Sequence, residues 1–247
     1  MLISEEKLNN IISGTIERVL SEAQVKMDRF DEVAKMLQFK SPDEFYFLSI
    51  MKRRKDNPHD DRNKGNYNQG AWYIKNYRIF SPQDLLNVKD EVIKLCEKNN
   101  ARAVLTINPR SAKQTDAFIA QQKARHPHWT HVEDRIPAQA KKGAEWKDAR
   151  PRGMLDVDVK QKWVHDHVLN TLKTLGIDIE SVSKTPSGGL HIVVKNGYDP
   201  KMKYALDDFA KVNKKLGTRP YGKLAAIGFD LDAFDTVYSN VKTAGYK

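Results

Sequence analysis

The C-terminal part of the chain constrains the fold most, because two hydrophobic periodicities alternate there in a fixed order. Four segments alternate apolar and polar side chains, which predicts strands. Two further segments carry apolar residues at helical spacing, and each is followed by a glycine. The strands are predicted at residues 154–159, 179–184, 190–195 and 224–231, and the helices at 161–175 and 200–216.

The order of these elements, β-α-β-β-α-β, predicts an α+β core of the ferredoxin-like type, which is also the RRM-like architecture of RNA-recognition motifs. In this arrangement both helices cover one face of a four-stranded sheet, and the other face can stay open. The first strand is central and lies between the third and the fourth. Residues that are distant in sequence are therefore expected to become neighbours on the open face.

The alternation within each strand predicts which side chains reach that face, because successive side chains point to opposite sides of a sheet. The apolar sets are expected to face the helices: Leu155, Val157, Val159, Leu190, Ile192, Val194, Phe229 and Leu231. The open face is then expected to carry four aspartates and a histidine: Asp156, Asp158, His191, Asp230 and Asp232.

Several carboxylates on one surface patch repel one another unless cations compensate their charge. Ligation by aspartate oxygens alone suits Mg²⁺ or Mn²⁺ rather than zinc. Two such ions about 4 Å apart stabilise the attacking and the leaving oxygen of a phosphoryl transfer. The pattern therefore predicts a metal-dependent phosphoryl-transfer site; an ordinary exposed strand face is the alternative interpretation of Asp156-Val157-Asp158.

The turn before the third predicted strand reads Lys184-Thr185-Pro186-Ser187-Gly188-Gly189-Leu190-His191. Consecutive glycines allow positive φ angles, so backbone N–H groups can approach a phosphate. Lys184, Ser187 and His191 would add cationic or polar donors, which predicts a cradle for a nucleotide triphosphate. A Gly-Gly hairpin followed by a surface histidine is the alternative.

Taken together, these segments resemble the three motifs of the archaeo-eukaryotic primase superfamily, and particularly its primase-polymerases from phages, plasmids and mobile elements. Those motifs are an Asp-x-Asp strand, a Ser-x-x-x-His turn and a hydrophobic-Asp strand. The corresponding segments here are Leu155-Asp156-Val157-Asp158, Ser187-Gly188-Gly189-Leu190-His191 and Gly228-Phe229-Asp230. The resemblance covers residues 152–238 and implies a DNA-directed primase/polymerase that joins NTPs or dNTPs and releases pyrophosphate.

The resemblance also implies roles for individual residues. Asp156, Asp158 and Asp230 would bind Mg²⁺ or Mn²⁺, and Ser187 and His191 would contact the incoming nucleotide. The third motif is ambiguous, because Phe229-Asp-Leu-Asp-Ala-Phe-Asp235 holds three acids. Asp230 is preferred because an apolar run precedes it, and Asp232 is the alternative third ligand.

Two other functions fit parts of the same pattern. A non-catalytic RRM-like module that binds single-stranded nucleic acid would share the order of elements. It predicts aromatic side chains on the open face, whereas Asp156, Asp158 and His191 stand there and the acids would repel phosphate without a metal. An enzyme of the same fold that acts on free nucleotides would keep the site and differ in its substrate.

The charge of the chain favours a polyanionic partner. Its 42 Lys and Arg residues against 32 Asp and Glu give a net charge of +10, and neutralised phosphates release condensed counterions. The expected partners are a single-stranded DNA template, nucleoside triphosphates and a helicase or primase accessory subunit. An acidic N-terminus and the lack of a long apolar run predict a cytoplasmic protein that does not enter membranes.

The rest of the chain is expected to add an α/β module and a helical segment. Residues 1–51 are predicted to be helical, 52–70 to form a basic mobile loop, and 71–247 to form the catalytic domain around an RRM-like core at 152–240. Within the first segment, Ser41-Pro42-Asp43-Glu44 is typical of a helix start. Further strands are predicted at 71–80 and 101–107, with helices at 81–99 and 116–123.

Overall fold

The structure is a computed structural model that describes residues 26–57, 71–128, 152–158, 160–197, 199–202, 227–230 and 233–241. Along the chain its elements are β1 (Met27–Asp28), α1 (Phe30–Met36), β2 (Glu44–Arg53), β3 (Ala71–Ile79), α2 (Pro82–Asn87), α3 (Lys89–Asn99), β4 (Arg102–Thr106), β5 (Arg110–Ser111), α4 (Ala112–Arg125), β6 (Gly153–Val157), α5 (Lys162–Thr174), β7 (Ile179–Lys184), β8 (Leu190–Val194), β9 (Ile227–Asp230) and β10 (Phe234–Ser239). The fold is α+β with two antiparallel sheets. None of the helices within these ranges has the length and apolar character needed to cross a membrane.

The smaller sheet has four strands in the order β7-β8-β6-β9. Every neighbouring pair is antiparallel, and β6 lies between β8 and β9, as the sequence predicts. Helix α5 connects β6 to β7 and is followed by Gly176 with a φ of +69°, which confirms the predicted helix end. Residues 200–202 are helical, and the rest of the second predicted helix lies outside the described residues.

One face of this sheet packs against α5, and the predicted division of side chains between faces is confirmed for β6 and β8. The other face was expected to be open, but it is covered in part, because Met154 and Val193 are buried in a cluster with Ile107 and Ala233. The buried cluster between the sheet and the helix holds apolar residues of β6, α5 and β8: Leu155, Val157, Val164, Val168, Leu172, Leu190, Ile192 and Val194. Burial of each such side chain contributes about 1.5–3 kcal/mol. Phe229 packs against this cluster beside Gly153. Its ring occupies the space that a Cβ at Gly153 would need.

The larger sheet joins both ends of the described chain. Its order is β1-β10-β4-β2-β3, and β5 pairs with the first residues of β2. Strand β10 follows β9 closely in sequence but pairs with β4, so the chain passes from the smaller sheet to the larger one between residues 230 and 234. This crossing was not predicted from the sequence.

Helices α1, α2 and α3 share a core with the larger sheet, in which Phe30, Leu85 and Val92 are fully buried. The predicted strands at 71–80 and 101–107 are confirmed as β3 and β4, and the predicted helix at 116–123 is confirmed as α4. The helix predicted at 81–99 is present in two parts, α2 and α3, which meet at Val88.

The helix predicted after Ser41 is wrong, because residues 44–53 form strand β2, which lies between β4 and β3. Asp43 does cap a helix, but that helix is α4: its carboxylate accepts hydrogen bonds from the Ser111 hydroxyl and from the Lys113 N–H at 3.1 Å. The helix-start pattern of Ser41, Pro42 and Glu44 is followed by a strand, and α4 has its own N-cap residue, Ser111. The domain boundary predicted after residue 51 falls inside β2.

The N-terminal and loop predictions are corrected in part. Strand β1 interrupts the helical pattern predicted up to residue 37, of which α1 remains, and residues 1–25 lie outside the described part. The first residues of the predicted basic loop belong to β2 and to a 3₁₀ turn at Arg54–Asp56. Asp56 there accepts two hydrogen bonds from Arg102, at 2.7 and 2.8 Å, within a buried ion pair. Residues 58–70 lie outside the described part.

Candidate active site

Asp156 and His191 lie directly opposite each other on the neighbouring strands β6 and β8. Residues in such a pair point to the same face, and here it is the face away from α5. The Nε2 atom of His191 lies 3.7 Å from Oδ1 of Asp156. The imidazole is 12% exposed and the carboxylate 47% exposed, so the acid is open to solvent while the ring is largely enclosed.

The other predicted acids are placed along the same sheet. Asp158 follows the end of β6 and is exposed. Asp230 pairs with Met154, which is two residues from Asp156, so the backbone register puts Asp230 on the face of Asp156. Asp232 lies outside the described residues.

The donor chemistry of this face fits a hard divalent cation. Asp156 and Asp158 offer carboxylate oxygens that reach solvent, and Asp230 is at a register position on the same face. Within the described side chains, no group of three or more His, Cys, Asp or Glu residues is arranged to hold a metal ion. Asp156 and Asp158 are the described acids at this end of β6 whose carboxylates reach solvent, and Asp156 is the better placed of the two as a candidate ligand for Mg²⁺ or Mn²⁺.

The Ser-Gly-Gly turn closes on itself through Thr185. The Gly188 N–H donates to the Thr185 carbonyl at 2.9 Å, and the Gly189 N–H donates to the Thr185 hydroxyl at 3.0 Å. Gly188 has a φ of +88°, as predicted, but Gly189 does not have a positive φ. Both glycine N–H groups are thus used inside the turn, so they do not form the phosphate cradle that the pattern predicts.

Gly189 has a different role, which is to let the turn rest on the end of β6. A Cβ at Gly189 would overlap the carbonyl oxygen of Val157 and would lie 3.3 Å from the Cα of Asp158. The second motif of the resemblance is thereby packed against the first. Ser187 is partly exposed in this turn, with its Oγ 3.4 Å from Oγ1 of Thr185.

The lysine beside this turn is Lys160 rather than the predicted Lys184. Lys184 pairs with Leu190, whose side chain is in the core against α5, so its register position is on the face opposite His191. The Cγ of Lys160 lies 3.5 Å from the position of a Cβ at Gly188, and Lys160 is exposed. Its place two residues after Asp158 was the signal that sequence reasoning missed.

Asp235 is the acid that contacts His191. Its Oδ1 lies 2.9 Å from Nδ1 of the imidazole and accepts a hydrogen bond from the Thr236 N–H at 2.8 Å. Its Oδ2 accepts a hydrogen bond from Arg29 at 2.8 Å, and the Ser183 hydroxyl donates to Oδ1 at 3.3 Å. Burial raises the pKa of Asp235, but the hydrogen bond with His191 and the charge of Arg29 outweigh burial and hold the pKa below its ordinary value.

Arg29 connects this network to the N-terminal part of the chain. It donates to Glu32 through Nε at 3.0 Å and through a terminal nitrogen at 2.6 Å, and it also donates to the Thr236 carbonyl at 3.1 Å. Arg29 and Asp235 are 206 positions apart in sequence. No local pattern could indicate a contact that depends on the pairing of β10 in the larger sheet.

A second set of contacts fixes the start of β6 to the larger sheet. Arg152 donates to both carboxylate oxygens of Glu180, at 2.6 and 2.7 Å, and to the Tyr46 hydroxyl at 3.1 Å. The Arg152 backbone also exchanges two hydrogen bonds with the Asn108 amide, at 2.7 and 2.9 Å. These contacts hold β6, the strand that carries Asp156, at a defined position relative to the larger sheet.

Neither a protein-family model, nor a curated protein, nor a solved structure matches this chain. What the chain does is therefore inferred from its own residues. The residues that the structure brings together are Asp156, His191 and the Ser187-containing turn, with Asp158 at the end of the same strand. Asp235, Arg29 and Lys160 complete the surroundings of this group.

Proposed function

We propose that this chain is a metal-dependent nucleotidyltransferase of the archaeo-eukaryotic primase type, a DNA-directed primase/polymerase that joins NTPs or dNTPs on a single-stranded template. One observation supports this proposal above the others. Asp156 of the first motif lies opposite His191 of the second, and the turn of the second motif rests on the strand end that carries Asp158. Each motif alone has a structural explanation, whereas their proximity brings an acid of a type that binds metal ions beside a histidine and a serine-containing turn.

The proposal includes an RRM-like core at residues 152–240. It is supported by the strand order β7-β8-β6-β9, by the antiparallel pairing throughout, and by the packing of α5 on one face. These are the order and the directions of a split β-α-β unit. The face away from α5 carries Asp156 and His191. Met154 and Val193 on the same face are buried in a cluster with Ile107 and Ala233, so the proposed chemistry lies where the Asp156 carboxylate reaches solvent.

Asp156, Asp158 and Asp230 would hold Mg²⁺ or Mn²⁺ in this proposal. Bound ions of this kind supply charge for phosphate oxygens and favour ionisation of the attacking hydroxyl. The protein supplies the solvent-accessible carboxylates of Asp156 and Asp158 and a largely enclosed imidazole whose Nε2 faces Asp156. His191 would contact the phosphates of the incoming nucleotide, as would Ser187 in the turn and Lys160 beside it.

A template is part of the proposal because the chain is strongly basic, with a net charge of +10. Phosphates of a single strand bind such a surface with release of counterions. A helicase or a primase accessory subunit is proposed as the partner that selects start sites. Each of these partners is testable separately from the chemistry of the site.

Incorporation of labelled NTPs or dNTPs on single-stranded DNA tests the proposal, with and without a primer, in Mg²⁺ and in Mn²⁺. The variant Asp156→Ala/Asp158→Ala is expected to lose at least about 10²-fold of the rate, the loss typical of removing one preorganised electrostatic group. The matched control is Asp178→Ala, which removes an exposed acid that pairs with Lys195 on the surface. Near-normal synthesis by the double variant would remove these acids from the site.

A second candidate is a non-catalytic RRM-like module that binds single-stranded nucleic acid, and the strand order and net charge favour it equally. It predicts strand binding without product. It also predicts that Asp156→Ala/Asp158→Ala binds single strands as well as the wild type or better, because negative charge is removed from the face. An enzyme acting on free nucleotides would instead form product without any template.

A further inference from the structure

The hydrogen bonds around Asp235 determine which nitrogen of His191 carries a hydrogen. Arg29 can only donate, and so can the Thr236 N–H. Both donate to Asp235, one to each carboxylate oxygen, at 2.8 Å. The short contact of 2.9 Å between the same carboxylate and Nδ1 of His191 then requires Nδ1 to be a donor.

The geometry leaves the other ring nitrogen for the site. Nδ1 keeps its hydrogen whether the ring is neutral or protonated, so Nε2 is the nitrogen that faces Asp156, at 3.7 Å. The Asp235 side chain that holds Nδ1 is itself 10% exposed, and its position is fixed by a side chain, Arg29, and a backbone group, the Thr236 N–H. A ring held on one side in this way has a single orientation toward the face of β6.

We propose that Asp235, held by Arg29, is a positioning residue that fixes the tautomer and orientation of His191 so that Nε2 is presented to the substrate. Only the statement of what Nε2 contacts, a nucleotide phosphate, rests on the proposed function. Asp235 itself contacts neither metal nor substrate. Carboxylates that hold the second nitrogen of a functional imidazole act in this way in metal sites, where their loss costs about 10–100-fold in affinity or activity.

Two other roles for Asp235 are possible and give different results. As an ion pair that only stabilises the fold, it would affect unfolding and leave the state of the ring unchanged. As the third metal ligand, it would be needed for Mn²⁺ binding. The structure favours the positioning role, because both carboxylate oxygens already accept hydrogen bonds from Arg29, His191 and Thr236.

The first test is ¹⁵N NMR of the imidazole groups in the full chain, at a pH high enough to leave the ring neutral. The chain has seven histidines, and the spectrum of His191→Gln assigns the signal of interest. The expected result for the wild type is a protonated Nδ1 and an unprotonated Nε2. An Nε2-protonated ring in the wild type overturns the proposal without any further variant.

The variant Asp235→Asn makes the test specific. An amide cannot accept from both Arg29 and Thr236, because one of its two ends carries hydrogens. When the amide oxygen of the variant faces Arg29, the amide nitrogen presents an N–H to Nδ1 of His191. Nδ1 must then accept, so the Nε2-protonated tautomer of His191 is expected to appear. The control Asp178→Asn, an exposed acid, is expected to leave the signal unchanged. Asp235→Ala removes the acceptor itself, so the same switch of tautomer is expected whatever the orientation of the amide in Asp235→Asn. An unchanged tautomer in Asp235→Ala overturns the proposal, as does a loss of Mn²⁺ binding in Asp235→Asn without a change of tautomer.

The second readout is the nucleotide KM. Asp235→Asn is expected to raise KM about 10–100-fold, and the double variant with His191→Gln should raise it no further than His191→Gln alone, because residues that act as one unit are not additive. Additive effects overturn the positioning role. A chain that shows the tautomer switch but no nucleotide transfer would refute the proposed function and leave the positioning of His191 intact, so the two failures are distinguishable.

Discussion

Gly189→Ala is expected to destabilise the fold and impair the candidate site at once, because Gly189 is where the second motif touches the first. The added Cβ would overlap the carbonyl oxygen of Val157 and would lie 3.2 Å from its carbonyl carbon and 3.3 Å from the Cα of Asp158. These are backbone atoms at the end of a strand that pairs on both sides. They cannot move aside as a flexible side chain can, so the turn must lift away from β6.

The cost has two parts. Overpacking against a fixed neighbour costs about 1–3 kcal/mol. Lifting the turn also weakens two hydrogen bonds, from the Thr185 N–H to the Gly189 carbonyl at 2.9 Å and from the Gly189 N–H to the Thr185 hydroxyl at 3.0 Å. At about 0.5–1.5 kcal/mol each, the expected total loss is roughly 2–6 kcal/mol of unfolding free energy.

Gly176→Ala is the matched control. Gly176 has a φ of +69° and no atom within 4 Å of an added Cβ, so the substitution costs only the strain of the left-handed conformation, roughly 1–2 kcal/mol. It ends α5 and is remote from Asp158 in the chain. Urea unfolding measures both losses, and nucleotide incorporation measures their effect on the site.

The expected result is that Gly189→Ala loses more stability than Gly176→Ala and that only Gly189→Ala loses activity when both are assayed well below their unfolding midpoints. Equal stability losses in the two variants, together with normal activity in Gly189→Ala, would refute the proposed packing of the turn on β6.

Three further predictions concern the surroundings of the site. Burial raises the pKa of the Cys96 thiol to about 12, so we expect no reaction with a disulfide reagent in the native protein at mildly alkaline pH and full reaction in urea; rapid native reaction would contradict the buried position. The pKa of Asp235 is held below its ordinary value, so ionised Asp235 stabilises the fold at pH values above its unfolded-state pKa, and this stabilisation is lost as the pH falls through the lower folded-state pKa. The stability of Asp235→Asn should lack this dependence on acid pH. Identical acid-unfolding profiles of the variant and the wild type would exclude a stabilising role of ionised Asp235. Arg152→Ala leaves Glu180 without its cation and should lose about 3–5 kcal/mol in urea unfolding, whereas Lys162→Ala, which breaks an exposed pair with Asp166, should lose less than about 1 kcal/mol.

The smaller sheet was predictable because its strands alternate cleanly and its helix ends at a glycine. Residues 179–184 were predicted with the bounds that β7 has, and the faces of Asp156 and His191 followed from the period of two. The opposite placement of Lys184 follows from its pairing with Leu190, which depends on the register across the turn. The turn itself was predicted as a phosphate cradle because glycines suggest available N–H groups, and Thr185 occupies both.

The larger sheet was harder to predict because its contacts are distant in sequence. The run Phe45-Tyr46-Phe47-Leu48 is buried on both faces of β2, so it lacks the alternation that marks a half-exposed strand. The pattern Ser41-Pro42-Asp43-Glu44 was taken for the start of a helix, whereas a strand follows it and the Asp43 carboxylate accepts hydrogen bonds from Ser111 and Lys113 at the start of α4. The role of Asp235 depends on the crossing of the chain from β9 to β10, which no periodicity indicates.

The measurement that tests template-dependent nucleotide transfer most directly uses homopolymeric single-stranded DNA templates, each offered all four labelled nucleotides separately in Mn²⁺. The expected result is incorporation of the complementary nucleotide alone by the wild type, and none by Asp156→Ala/Asp158→Ala. Absence of any product from the wild type, or product that is independent of the template or of these two aspartates, would contradict the proposed primase/polymerase.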